Sequence, residues 1–397
     1  MNDSTKPWDE IILLGFSRGA FTARAISSLI HDVGLLTKEG LEFFFGIIED
    51  WKNQNVPGME WKWYQAKFGK VNKKTFGWTQ YKETLVKSNL TRSGMSVRAV
   101  GVFDTVGALG IPAGIWDDGV REYSFVNTKV SQSIEYAFHA LALDEHRTLF
   151  APTVWEHPDA PHKLKQLKQC WFAGVHSNIG GGYPDAGSSN ITLAWMMSQL
   201  EHNKILEFDP DYKDFVQDLN KDFYARVPKP RPWALGRVYD STAGLVGVFE
   251  NAIKPPRIRT PGNCHRIDAA TGKETKVPLE KTGECMHRSV RVRVEQGGLG
   301  EEPDTTSASA LEKIGNGLER ILGKKVETYA KQVFQGDLAP LKGFALAPPT
   351  VPSPQSSDIS ALGSSGYGWK FGDRNLPEDE FLDTERKFLL RHKTFAA

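Results

Sequence analysis

A serine flanked by glycines, Gly15-Phe16-Ser17-Arg18-Gly19, stands where a short apolar run gives way to helical spacing. In a G-x-S-x-G between a strand and a helix, the serine occupies a tight turn that lifts its hydroxyl above a sheet. The amide of the next residue, Arg18, then faces the place where an oxyanion develops at a helix N-terminus. Gly15 and Gly19 leave room for neighbouring backbone. At average glycine and serine usage the bare pattern arises by chance in roughly one chain in ten of this size, so its context has to carry it. The plainer reading of Ser17 is a helix N-cap, worth about 1 kcal/mol to the helix that follows. Arg18 puts a fixed charge beside the serine, to meet an anionic substrate group, turn to solvent or pair near Asp104.

A serine hydroxyl is a poor nucleophile without a base, and the base needs an acid to orient it. Asp104 directly follows the apolar run AVGVF, and His176 directly follows CWFAGV. Both are expected strand C-termini, where sites on α/β sheets are built, and serine, acid, histidine is the expected chain order. Turn capping by Asp104 and simple packing of His176 in a glycine turn are the alternatives. His146, beside Asp144 and Glu145, competes as base, yet on the body of an expected helix it suits a pocket wall better, together with Arg147. Asp117 and Asp118 follow a Gly/Pro loop and make weaker acids. Asp185, close behind the glycine loop, is placed to support the site from a second layer. Gly180, Gly181 and Gly182 lack the spacing of a nucleotide cradle. No two histidines share i, i+4 spacing with a third ligand nearby, so neither cofactor nor metal is expected.

These residues need strands to carry them. Short apolar runs at 11–16 and 97–103, and a third in KQCWFAGV ending at Val175, read as buried strands. Phe21, Ile26, Leu29 and Ile30 share one face of a helix after the serine. The stretch SQSIEYAFHALALDEHR reads as a helix capped by Ser131 or Ser133. SSNITLAWMMSQL reads as a buried helix starting at Ser189 or Asn190. The alternation implies an α/β fold with a mainly parallel sheet covered by helices on both faces. The aromatic stretch 51–78 reads as an irregular helical excursion, either a lid or plain core. After about residue 205 the composition turns to proline, glycine and basic residues. The expected organisation is a core of residues 1–205 and an irregular C-terminal extension of residues 206–397, with flexible stretches near 299–312 and 343–366. HRSVRVRVEQGG offers one short alternating strand, and the C-terminus an amphipathic helix.

Composition narrows the setting. At 40% hydrophobic and 24% charged, the chain is ordinary for a soluble protein. With 49 basic and 48 acidic side chains, the net charge of +1 gives no global field for nucleic acid. Three scattered cysteines, Cys170, Cys264 and Cys285, make no disulfide framework and point to a reducing compartment. The polar N-terminus lacks a signal-peptide core, and no apolar run approaches the ~20 residues of a membrane span. A cytoplasmic protein with at most peripheral membrane contact is expected.

Four blocks in order, GFSRGAFTAR, GVFDTVGALG, FHALALDEHR and WFAGVHSNIGGGY, resemble an uncharacterised α/β-hydrolase domain family whose bacterial relatives include the type VI secretion phospholipase effectors. The later GRVYDS, RTPG, HRSVRVR and YGWKFGD resemble its fungal members, so the likeness covers most of the chain. The resemblance implies an α/β-hydrolase-like serine esterase or lipase with a Ser17, Asp104, His176 triad. Its implied substrates are carboxylic esters, including phospholipid or other lipid esters. Family members usually carry a strand and a D-G-T-W-N-like loop before the serine, which this sequence lacks. The expectation is a missing second oxyanion donor, at a cost of about 3 to 4 kcal/mol in the transition state. The alternative is an impaired hydrolase fold kept as an interaction module, and an amidase would use the same triad.

Overall fold

The computed structural model describes residues 9–54, 60–72, 76–106, 128–212, 218, 233–239, 257–267, 274–295, 345–347, 367–371 and 374–387. Asp117, Asp118 and residues 299–312 lie outside them, as does the 343–366 stretch except for one short strand. Strands run β1 (Ile12–Phe16), β2 (Leu35–Leu36), β3 (Thr91–Arg92), β4 (Val97–Phe103), β5 (Ile134–Ala142), β6 (Gln166–Phe172), β7 (His265–Ile267), β8 (Glu274–Pro278), β9 (Glu284–Met286), β10 (Ala345–Ala347), β11 (Gly368–Phe371) and β12 (Arg374–Pro377). Helices are α1 (Arg18–Asp32), α2 (Lys38–Leu41), α3 (Phe44–Lys52), α4 (Lys62–Phe68), α5 (Trp78–Lys87), α6 (His176–Gly180), α7 (Gly187–His202) and α8 (Arg288–Glu295).

The core is a five-stranded sheet in the order β1-β4-β5-β6-β9, parallel at every pairing. Successive side chains on a strand point to opposite faces. Phe138, Ala140 and Ala142 of β5 therefore pack on one side with Ile191, Trp195 and Leu200 of α7. Ala137 of β5 and Val100 and Val102 of β4 pack on the other with Ala20, Ala23 and Ile30 of α1. With both faces covered, the strands read as continuous apolar runs. The expected mainly parallel sheet between helices is present.

That same double burial explains a misreading. The segment 131–147, expected to be a helix, contains the nine-residue strand β5. A strand buried on both faces shows no period of two, so its apolar run imitates a buried helix. The connection from β5 to β6 holds a single 3-10 turn, Thr148–Phe150. The third strand ends at Phe172, short of Val175. HRSVRVRVE, expected as a strand, is mostly the helix α8. At helical spacing Val290 and Val294 meet the core, while Arg291 pairs with buried Glu378 at 2.7 Å.

Helices α3, α4 and α5 form a separate aromatic layer. Trp51, Tyr64, Tyr81 and Leu85 are buried there, with Trp61, Trp63, Phe76 and Trp78 packed against them. Asp50 sits inside this layer and accepts the Tyr64 amide at 2.9 Å and the Tyr81 hydroxyl at 3.2 Å. The aromatic stretch is thus largely packed core, although Phe45 stands 85% exposed at its margin.

Candidate active site

Three strand ends bring the candidate residues to one edge of the sheet. β1 leads into Ser17, β4 into Asp104, and the turn after β6 into His176, the first residue of α6. Ser17 has φ 58° and ψ −122°, and Asp104 has φ 40°. A non-glycine residue held in such sparsely populated space costs about 1 to 3 kcal/mol and persists only where its surroundings enforce it. For Ser17 the enforcement is visible. Its amide donates to Phe103 O at 3.0 Å, carrying the β1–β4 ladder one step past the strand. A Cβ on Gly15 would run into the Gly19 carbonyl, whereas one on Gly19 would meet nothing within 4 Å. Only the first glycine is required by packing. Ser17 makes no side-chain capping bond to α1, so the N-cap reading of this serine is not what the turn provides.

His176 Nδ1 lies 2.6 Å from Asp104 Oδ2. The imidazole is buried between the Phe16 ring, with centroids 4.6 Å apart, and the edge of Phe150 at 4.9 Å. Phe16 immediately precedes Ser17, so packing of the ring ties the histidine to the serine turn. Gly180 allows this approach, since a Cβ there would strike the Phe16 ring.

Asp104 is fully buried. It accepts the Ala142 amide at 2.9 Å and both terminal nitrogens of Arg259, at 2.6 and 3.0 Å. Burial pushes this carboxyl up, but the Arg259 charge and the His176 contact outweigh it and hold the group well below the usual carboxylate range. An ionised acceptor at this distance makes Nδ1 the donating nitrogen of the ring, with Nε2 on the far side from the carboxylate.

The other expected residues take separate places. Arg18 is exposed at the start of α1, among amides that have no acceptor within the helix. Arg147 clamps Glu145 with two 2.9 Å bonds and lies 3.5 Å over the Phe150 ring, which makes it a backing of the aromatic wall. His146 is buried on the same loop, and its carbonyl accepts the Arg257 amide at 2.8 Å. No hydrogen bond joins it to Asp104 or His176 among the described contacts. Asp185 holds the start of α7 through the Gly187 amide and ties down Arg237 N–H, both at 2.9 Å. Its role is to fix the loop behind His176.

Two charged groups escaped the sequence reading. Glu145 Oε2 accepts the His176 backbone amide at 3.3 Å, a contact hidden when 131–147 is taken for a helix. Arg259 opens the RTPG block, whose likeness to relatives was its only signal.

His139, a second histidine of the same region, is sealed in mid-strand. Its Nε2 accepts the Thr105 amide at 3.1 Å, leaving Nδ1–H to face Gln169 Oε1 at 3.1 Å. Burial and the nearby Arg24 charge lower its pKa to about 3, so it stays neutral and secures the backbone just after the acid. Among the described residues, Cys170, Cys285 and Asp379 place ligand atoms within 4.8 Å of one another. Asp379 is already engaged by Lys168 and Trp195, each at 2.7 Å, and the Lys168 ammonium balances its charge without a metal ion. A cavity of about 660 Å³ opens at the far end of α1, beside Val33, Lys82, Met95 and Lys163, and holds none of Ser17, Asp104 or His176.

The arrangement defines an α/β protein with a polar site at the C-terminal edge of a parallel sheet. Comparison with known proteins narrows this. Residues 2–199, about half of the chain, match the model of the family described as T6SS, Phospholipase effector Tle1-like, catalytic domain, and over that stretch the chain belongs to this family. It is also similar to a Saccharomyces cerevisiae protein named Uncharacterized protein YEL023C, 30% identical over 168 residues. That match covers 42% of this chain and 21% of the yeast protein, so the chain spans about a fifth of that relative's length. No solved structure matches significantly.

Proposed function

We propose that the chain is a serine hydrolase of α/β-hydrolase type that cleaves carboxylic esters, with phospholipid or other lipid esters as its substrate class. The observation that carries this is the 2.6 Å contact of His176 Nδ1 with buried Asp104, packed against the residue before strained Ser17. The family's printed description as a phospholipase effector supports the lipid part. In the proposed cycle His176 Nε2 takes the Ser17 proton as Oγ attacks the ester carbonyl. Asp104 keeps the imidazole in its Nδ1–H tautomer and stabilises the imidazolium. The Arg18 amide, at the positive end of α1, faces the tetrahedral oxyanion. Collapse expels the alcohol, which receives the proton from His176, and water then clears the acyl-Ser17 ester by the same steps in reverse.

The core of residues 1–205 with its C-terminal extension is part of this proposal, as is a cytoplasmic setting, in keeping with three free thiols. Among the described residues no helix is long and apolar enough to cross a membrane, and contact with a lipid surface is proposed as peripheral. The test is a substrate panel: p-nitrophenyl esters of increasing chain length, phospholipid vesicles and peptide anilides. Ester and vesicle hydrolysis that vanishes in Ser17→Ala supports the reading. A folded protein inert on every ester, or one that prefers anilides, contradicts it.

A further inference from the structure

Arg259 lies 155 residues after Asp104 in the chain and is buried to 5% exposure. Its planar fork is used on both sides. Nη1 donates to Asp104 Oδ1 at 2.6 Å and to Ala142 O at 2.7 Å. Nη2 donates to Asp104 Oδ2 at 3.0 Å and to Phe150 O at 2.6 Å. Each carboxylate oxygen therefore has two donors: Oδ1 has Arg259 and the Ala142 amide, Oδ2 has Arg259 and His176. The two carbonyls bracket the loop from the end of β5 to Phe150, whose ring bears on the imidazole.

We propose that Arg259 is a positioning residue for the acid–base pair, fixing Asp104 Oδ2 on the His176 Nδ1–H and holding the Phe150 wall against the imidazole from the C-terminal half of the chain. This rests on the hydrolase reading above. A lysine would supply the charge but not the flat, forked donor set that reaches two carboxylate oxygens and two carbonyls together. Arg257, two residues earlier, shows what a merely peripheral pair looks like. It is exposed, and pairs with Glu274 at 2.5 Å at the surface.

The placement has a consequence for proton transfer. The carboxylate that stabilises the imidazolium during turnover is already shared with a guanidinium. Among the described residues, the other charges near His176 are Glu145, on its backbone amide, and Arg147, which neutralises Glu145. Tyr183, beside Ser177, carries a phenol that burial and Glu145 push up, so it adds no charge near neutral pH. The Asp104–Arg259 pair is thus the charge balance that sets how tightly the coupled Asp104–His176 unit holds its proton. Without Arg259 the unit keeps that proton to higher pH, and the base is ready only in more alkaline solution.

The test compares Arg259→Met and Arg259→Lys with wild type and with Arg257→Gln as control, measuring kcat/KM against pH, melting temperature and the His176 Nδ1–H proton resonance. Arg259→Met is expected to move the acid limb up by about one pH unit and to lower kcat by roughly 10- to 100-fold with little change in KM. Arg259→Lys is expected to keep the limb near its wild-type position yet still lose kcat, and Arg257→Gln to change neither. In an Asp104→Asn background, Arg259→Met should cost little more, because its effect passes through the acid. A limb and a resonance both unmoved in Arg259→Met, with only the melting temperature lowered, overturn the proposal. If Arg259→Met does not fold, an Arg259→Lys enzyme indistinguishable from wild type overturns it instead. Should wild type prove inert on every ester, the hydrolase reading fails by itself, and the His176 resonance still decides what Arg259 does.

Discussion

The two ends of the central sheet are built to different rules. At the C-terminal end, two non-glycine residues are held at positive φ and the buried side chains of His176 and Arg259 both engage Asp104 within 3.0 Å. At the opposite end, where Met95 leads into β4 and Ser133 into β5, a cavity of about 660 Å³ is lined in part by Lys82, Lys87 and Lys163. None of the non-glycine residues lining that cavity has positive φ. The described cavity and the Asp104–His176 pair therefore lie at opposite ends of one sheet. Backbone strain and converging charge, which gather at functional sites, are found at the C-terminal end of the sheet.

The largest effect that sharpens this contrast is expected for Ser17→Ala, which should lower ester turnover at least about a thousandfold while leaving the melting temperature near that of wild type. An inactive but destabilised variant would instead make the strained turn a structural feature. Gly15→Ala comes next. Its new Cβ must displace the Gly19 carbonyl, and unfolding in denaturant should show a loss of about 3 kcal/mol.

His139→Gln probes the quiet neighbour of the site. A base whose folded pKa is lowered to about 3 binds its proton more readily when unfolded. Stability is then undiminished above the unfolded value of about 6.5 and falls as pH drops from there towards 3, by up to about 1.4 kcal/mol per pH unit. Removing the imidazole should flatten that part of the stability curve, and an unchanged slope would show that His139 does not carry it. The smallest effect belongs to the far cavity. Lys82→Ala with Lys163→Ala should leave esterase activity unchanged and stability within about 0.5 kcal/mol, and a large loss of turnover would erase the distinction between the two ends.

What the sequence revealed followed from local rules. An apolar run ending at a chemically capable residue is visible in one dimension, so Ser17 and Asp104 could be marked directly after their strands and His176 just beyond its own, across a short turn, and the pairing of Asp104 with His176 is what the geometry supports. Pattern failed where burial removes periodicity, as in β5, and where it imitates another period, as in the Val/Arg alternation of α8. It could not find Arg259, because no local feature of RTPG says which distant carboxylate will receive its guanidinium. His146 and Glu145 exchanged importance for a related reason. On a helix the histidine would have faced a pocket, whereas on the loop after β5 the glutamate meets the His176 amide.

Covalent capture reads the nucleophile itself. The protein is treated with a fluorophosphonate, and the modified residue is located by peptide mass spectrometry at neutral pH. A single adduct on Ser17 Oγ is expected, suppressed when His176 is replaced by Ala. An adduct on any other residue, or none on a folded protein, would contradict it.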